Sequence, residues 1–176
     1  MMSSLGQTSQ KILDAAFSCA EDGPDFSMAD VAQAAGLSRQ AVYLHFPDRA
    51  SLLAAALARL EAGQPPAGIE DAPSARAALA ALVARLAEAY PRRWPIVRAL
   101  PGEVADIALA GAARTLAERF RVEGALAAHL SPSAATDLLS TLLSLAVWRE
   151  LVIGRGWDSA RYKSHITYLA AGALTR

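Results

Sequence analysis

Arg39, Gln40, Tyr43 and Leu44 fall on one stripe of a short helical segment, and Val42, His45 and Phe46 on another, because residues three and four apart share a helix face. The second stripe packs and the first is presented. A guanidinium can bridge O6 and N7 of guanine, a carboxamide can pair with adenine or phosphate, and a phenol can donate to a phosphate oxygen. Together they make a surface able to read a DNA groove. Arg39 and Arg49 each follow a residue suited to cap a helix, Ser38 and Asp48. Each arginine thus stands in a first helical turn, where the dipole disfavours a cation by about 0.3–1 kcal/mol. A bound phosphate reverses that penalty. Exposed arginines that simply tolerate it are equally consistent with the residues.

The flanking sequence supplies the elements that hold this segment. Ile12, Leu13, Ala16, Phe17 and Ala20 recur at helical spacing from Lys11 to Glu21, and Glu21-Asp22-Gly23-Pro24 ends the pattern. Ser27 starts a second helix with Asp30 at capping-box distance. Gly36 stops it, since glycine takes a left-handed turn at no steric cost. Ser38 caps a third helix running to about Phe46. Two short helices therefore meet across a tight turn. Beyond Pro47, Asp48 caps a fourth helix through Leu52, Leu53, Leu57 and Leu60, which closes at Gly63 to Gly68.

The motifs I-L-D-A-A at 12–16, S-M-A-D-V-A-Q-A-A-G-L-S at 27–38 and A-V-Y-L-H-F-P-D-R at 41–49, with Leu52-Leu53, resemble the tetracycline-repressor (TetR) family. The resemblance implies that the third helix enters the major groove, that Tyr43 and His45 touch phosphates, and that Arg49 does likewise. Ser27, Ser38, Arg39, Gln40, Ala41 and Leu44 complete the candidate DNA-binding set. The segment from Phe17 to Ser27 is tighter than the family pattern, and Asp48 stands where Ser or Thr is common. Beyond about Leu60 the resemblance extends to helix layout alone.

Composition points to an all-α chain. Of 176 residues, 53% are apolar, and the β-branched runs of strands are missing. Net charge is zero, and the first fifty residues hold more acids (Asp14, Glu21, Asp22, Asp25, Asp30, Asp48) than bases (Lys11, Arg39, Arg49). A DNA-binding role must therefore rest on where the few bases sit. Cys19 has no partner for an internal disulfide and reads as an inert core thiol. No signal-peptide pattern opens the sequence, and its longest uncharged apolar stretch, Leu138 to Trp148, falls short of the ~20 residues that span a bilayer. A cytoplasmic chain without a membrane partner is expected.

For the C-terminal portion, the expected elements are an amphipathic helix from Ser74 to Tyr90, a kinked connector or short helix from Pro91 to Pro101, and long helices over Gly102 to Leu130 and Ser133 to Ile153. A last helix runs from Asp158 to Leu174. The helix over Ser133 to Ile153 is apolar round most of its circumference, which a second subunit could cover. Leu139, Leu142, Leu143, Val147, Ile166 and Leu169 are the expected homodimer interface, and burial within one subunit is the alternative. Tyr90, Trp94, Arg98, Phe120 and Trp148 are the candidate effector site, with core aromatics and solvated arginines as the competing reading. His129 and His165 lack partners at ligand spacing, so no metal or other cofactor is expected. No catalytic set is evident.

The expected organisation is thus an N-terminal three-helix helix-turn-helix DNA-binding domain over residues 1–47, a connecting helix over 48–62, and a C-terminal helical ligand-binding and dimerisation domain over 63–176. The expected function is a transcriptional regulator, a repressor released from palindromic double-stranded DNA by a small-molecule effector. A dimeric interaction protein with a vestigial helix-turn-helix, and an all-helical enzyme, are the alternatives.

Overall fold

A computed structural model describes residues 4–62, 68–102 and 105–175, and all its regular elements are helical. The chain packs as two units, one drawn from Met1–Gln64 and Pro91–Val104, the other from Pro65–Tyr90 and Ala105–Arg176. The boundaries expected at residues 47 and 62 fall within or at the margin of the first unit, to which packing adds 91–104.

The first unit contains α1 (Ser4–Asp22), α2 (Met28–Ala35), α3 (Arg39–His45) and α4 (Arg49–Ala62). The helix starts follow from side-chain caps. The Ser27 N–H donates to Asp30 Oδ2 at 2.7 Å and the Asp30 N–H to Ser27 Oγ at 3.2 Å, a reciprocal capping box. The Ala41 N–H donates to Ser38 Oγ at 3.2 Å, and the Ser51 N–H to Asp48 Oδ1 at 2.7 Å. Gly36 ends α2 at φ 65°, a conformation that costs any residue with a Cβ roughly 1–2 kcal/mol. Ile12 and Ala16 of α1, Val31 of α2, Val42 of α3 and Leu52, Leu53 and Ala56 of α4 then meet in one core, each essentially removed from solvent.

A further helix, α5 (Ala75–Ala99), is shared between the units, since residues up to Tyr90 belong to the second and those from Pro91 to the first. The expected separation of Ser74 to Tyr90 from a connector at Pro91 is therefore corrected. Pro91 and Pro95 lie inside one continuous helix. Each proline removes one backbone donor and crowds the carbonyl four residues back. Burial of Ile96 and Ala99 in the first unit's core holds the segment helical nonetheless.

The second unit continues with α6 (Ile107–Val122), α7 (Pro132–Leu142), α8 (Leu145–Trp148), a π-helical turn (Arg149–Gly154) and α9 (Ser159–Leu174). Two expected long helices are shorter here. Asp106 starts α6 by accepting from the Leu109 N–H at 2.9 Å, and Gly124 at φ 66° turns the chain away after Val122. The helix expected over Ser133 to Ile153 breaks at Leu143–Ser144, because Ser144 is extended and its Oγ accepts from the Val147 N–H at 3.3 Å. A serine within an apolar run starts a new helix there instead of facing solvent on the old one. No helix among the described residues is long and apolar enough to cross a membrane.

Candidate nucleic-acid interface

α3 is divided as its stripes require. Val42 is fully buried and Phe46, its C-cap, nearly so, whereas Tyr43 is 51% exposed and Leu44 81%. Arg39 and Gln40 are exposed beside them, and Ala41 and His45 are intermediate. Tyr43 and Leu44 thus place adjacent apolar surface on the outward side of α3. His45 lies at the packed edge, its ring 6.5 Å from that of Phe46.

Arg39 forms no hydrogen bond or ion pair among the described residues. Its charge is felt by Asp30 of α2, whose carboxyl lies below its ordinary range because it accepts from Ser27, first through the backbone and then through the hydroxyl, with Arg39 adding a smaller pull. Ser27 and Ser38 are exposed, with hydroxyl oxygens already turned to helix amides. Asp48 is likewise held low by the Ser51 N–H.

Arg49, the expected phosphate contact at the start of α4, is half-buried. Its guanidinium donates to the Pro24 carbonyl and lies 4.6 Å from the centre of the Phe26 ring. Phe26 and Pro24 belong to the short link between α1 and α2, so this arginine fastens the link to the start of α4. Nothing local to residue 49 marks that role; the signal is the compressed Phe17 to Ser27 segment, which leaves little chain to satisfy itself.

Other arginines tie the unit together beyond the reach of local pattern. Arg59 pairs with Asp14 at 2.6 Å, Arg93 pairs with Glu61 at 3.2 Å, and Arg98 donates to the carbonyls of Ala20 and Glu21 at 2.8 and 3.2 Å. Arg98, expected at the effector site, thus satisfies carbonyls at the C-terminal end of α1, where a cation is favoured. Trp94, half-buried, belongs to the same unit.

The remaining effector candidates belong to the second unit and are core. Tyr90 and Phe120 are fully buried and Trp148 is 3% exposed. The Tyr90 hydroxyl donates to the Leu143 carbonyl, and its ring lies 6.0 Å from that of Trp148. The expected dimer interface also needs correction, since Leu139, Leu143 and Ile166 are buried within the chain and offer no surface to a partner. Leu142 and Val147 are intermediate, and Leu169 is 49% exposed. Leu138, Ile153 and Tyr168 are the exposed neighbours in sequence that the expected set omitted. The run thus divides into residues buried in the chain's own core and exposed apolar residues beside them.

Cys19 is half-buried, and burial followed by the nearby charges of Asp30 and Asp22 raises its thiol above the ordinary range, which disfavours the reactive thiolate. Among the described residues no His, Cys, Asp and Glu side chains gather as a metal site.

Residues 12–56 match the family model for bacterial regulatory proteins of the tetR family. Over nearly its whole length the chain is similar to solved structures. The fatty acid degradation regulator FadR from Bacillus halodurans is 18% identical with a TM-score of 0.74, covering 97% of this chain and 98% of that one. NalD of Pseudomonas aeruginosa, the secondary repressor of the MexAB-OprM multidrug efflux pump, is 21% identical with a TM-score of 0.68 over 98% of each chain. TylP, a tetR regulator from Streptomyces fradiae, is 20% identical with a TM-score of 0.66 over 99% of this chain and 89% of its own. No curated protein sequence matches the chain. Residues 12–56 thus match the N-terminal module of the bacterial tetR-family regulatory proteins, on a chain whose fold is similar to that of TylP, a solved tetR regulator.

Proposed function

We propose that the chain is a DNA-binding transcriptional regulator, a homodimeric repressor that leaves a palindromic operator when a small molecule binds its second unit. The observation that carries this reading is the outward face of α3, where Arg39, Gln40, Tyr43 and Leu44 stand exposed on a helix anchored by Val42 and Phe46. That helix would lie in the major groove, Arg39 would read guanine and Tyr43 would reach phosphate. Ser27, Ser38, Ala41 and His45 complete the contact set, whereas Arg49 acts by fixing the α1–α2 link to the start of α4.

Two-fold symmetry would supply a second α3 one helical turn of DNA away. Leu138, Ile153, Tyr168 and Leu169 provide exposed apolar surface for such a dimer. An effector needs a coupling of only ~1–3 kcal/mol to shift operator occupancy 5- to 150-fold. A small molecule is a reasonable effector by analogy with SmeT, a similar structure solved as a triclosan complex.

Selection from random-sequence duplexes at low salt tests the reading. Inverted repeats should be enriched, and binding should weaken steeply as salt rises. No enrichment, with no binding to any duplex at low salt, overturns it.

A further inference from the structure

A cavity of about 300 Å3 in the second unit is lined by Arg85 of α5, by Glu70 and Asp71 of the segment before α5, and by Ala112 and Thr115 of α6. Arg49, Arg59, Arg85, Arg93 and Arg98 each have a buried nitrogen with no acceptor. Four of them engage a carbonyl or carboxylate through another nitrogen. Arg85 makes no hydrogen bond or ion pair among the described residues, and it lines this cavity. A half-buried guanidinium left this way is costly unless something else meets it.

The segment before α5 is fixed in place. Ile69 is 6% exposed, and Arg119 donates to the carbonyls of Ile69 and Ala72. The Ala75 N–H donates to both Glu123 oxygens at 3.0 and 2.8 Å, and Arg119 Nε donates to Glu123 at 2.9 Å. The segment bearing Glu70 and Asp71 is therefore fastened to α6 at both ends. Neither carboxylate pairs with Arg85 or with any other described residue, so the cavity holds separated charges of both signs.

We propose that this cavity binds a small zwitterion, a free amino acid or a compound with the same carboxylate and ammonium groups. Its carboxylate would take the fork of Arg85, its ammonium would face Glu70 and Asp71, and a short aliphatic side chain would lie on Ile69 and Ala112. A simple anion would meet Arg85 but face two carboxylates. A simple cation would leave Arg85 unanswered. The volume sits at the small end of ligand pockets, which excludes large effectors. None of Tyr90, Phe120 or Trp148 lines this cavity, and the proposal does not depend on DNA binding.

Amide-resolved NMR titration of the full chain with leucine, 4-methylpentanoate and leucinamide, each to ~10 mM, tests it. Leucine should produce saturable shifts at residues 69–72 and 112–115, and each of the other probes should bind roughly tenfold more weakly or worse. Arg85→Gln, with its spectrum otherwise unchanged, should lose about tenfold in leucine affinity while leaving leucinamide unaffected. The Glu70→Gln, Asp71→Asn pair should weaken leucine without weakening 4-methylpentanoate. No saturable shift with leucine, equal binding of all three probes by the wild type, or leucine binding untouched by Arg85→Gln overturns the proposal.

Discussion

The starts of α3 and α4 share one local pattern, a capping side chain followed by an arginine, yet the two arginines are used differently. Arg39 is exposed and without a hydrogen-bond partner among the described residues, whereas Arg49 is bonded to Pro24 and stacked on Phe26. The helix dipole penalises both cations equally. At α4 a carbonyl and an aromatic face from the α1–α2 link offset that penalty inside the fold. At α3 no bond among the described residues offsets it. A cation at a helix start thus becomes a binding group or a fastening according to what the rest of the chain places over it.

The largest effect that could break this contrast belongs to Arg39. Arg39→Ala should weaken binding to a selected operator by about 1–3 kcal/mol, roughly fivefold to 150-fold, and relax specificity at one base position. Its unfolding midpoint should move by no more than about 0.5 kcal/mol equivalent. Wild-type selectivity in that variant removes Arg39 from the groove.

Arg49→Ala should show the reverse, a loss of about 1–2 kcal/mol in denaturant unfolding with little change in the salt slope of operator binding. Arg49→Lys should recover little, because an ammonium lacks the planar face that stacks on Phe26. If the salt slope instead falls by about one, Arg49 contacts phosphate and the two helix starts are alike.

The caps should cost less and should match. Ser38→Ala and Asp48→Ala are each expected to destabilise by about 1 kcal/mol in the same unfolding measurement. A much larger loss at Asp48 would mean that α4 depends on its cap more than on burial of Leu52 and Leu53.

Acid should separate the two starts by direction alone. The folded-state Asp48 carboxyl lies below its ordinary value because it accepts from the Ser51 N–H. Its contribution is therefore complete above the unfolded-state value near 4 and is lost as pH falls through the depressed folded-state value. The Ser38 hydroxyl does not titrate there. In an acid titration the Ser51 amide resonance should shift before that of Ala41; simultaneous change would show that α3 and α4 open together.

Elements whose signals are local were legible in the sequence. The Ser27–Asp30 box, Gly36, Ser38, Asp48, Asp158 and the two stripes of α3 each depend on residues within one or two turns, and the structure has them as expected. What was not legible depends on distant chain. Continuity of α5 through Pro91 and Pro95 rests on a core built from α1 to α4. Arg98 belongs at the end of α1, which no spacing near residue 98 announces. Leu139, Leu143 and Ile166 are as apolar as any interface residue, and only packing within the chain shows them to be core. The break at Ser144 was in principle readable, because a serine can cap as well as interrupt an apolar run.

The placement of Ile96, Ala99 and Arg98 has a consequence for the chain as an inheritable part. The first unit is not one contiguous stretch, since its core is closed by residues that return after the second unit has begun. A gene fusion that cuts after Ala62 would carry α3 but leave the space of a buried isoleucine open and the terminal carbonyls of α1 without their arginine. Exchange of specificities between such chains is therefore easier by replacing the face of α3 than by transplanting the module whole.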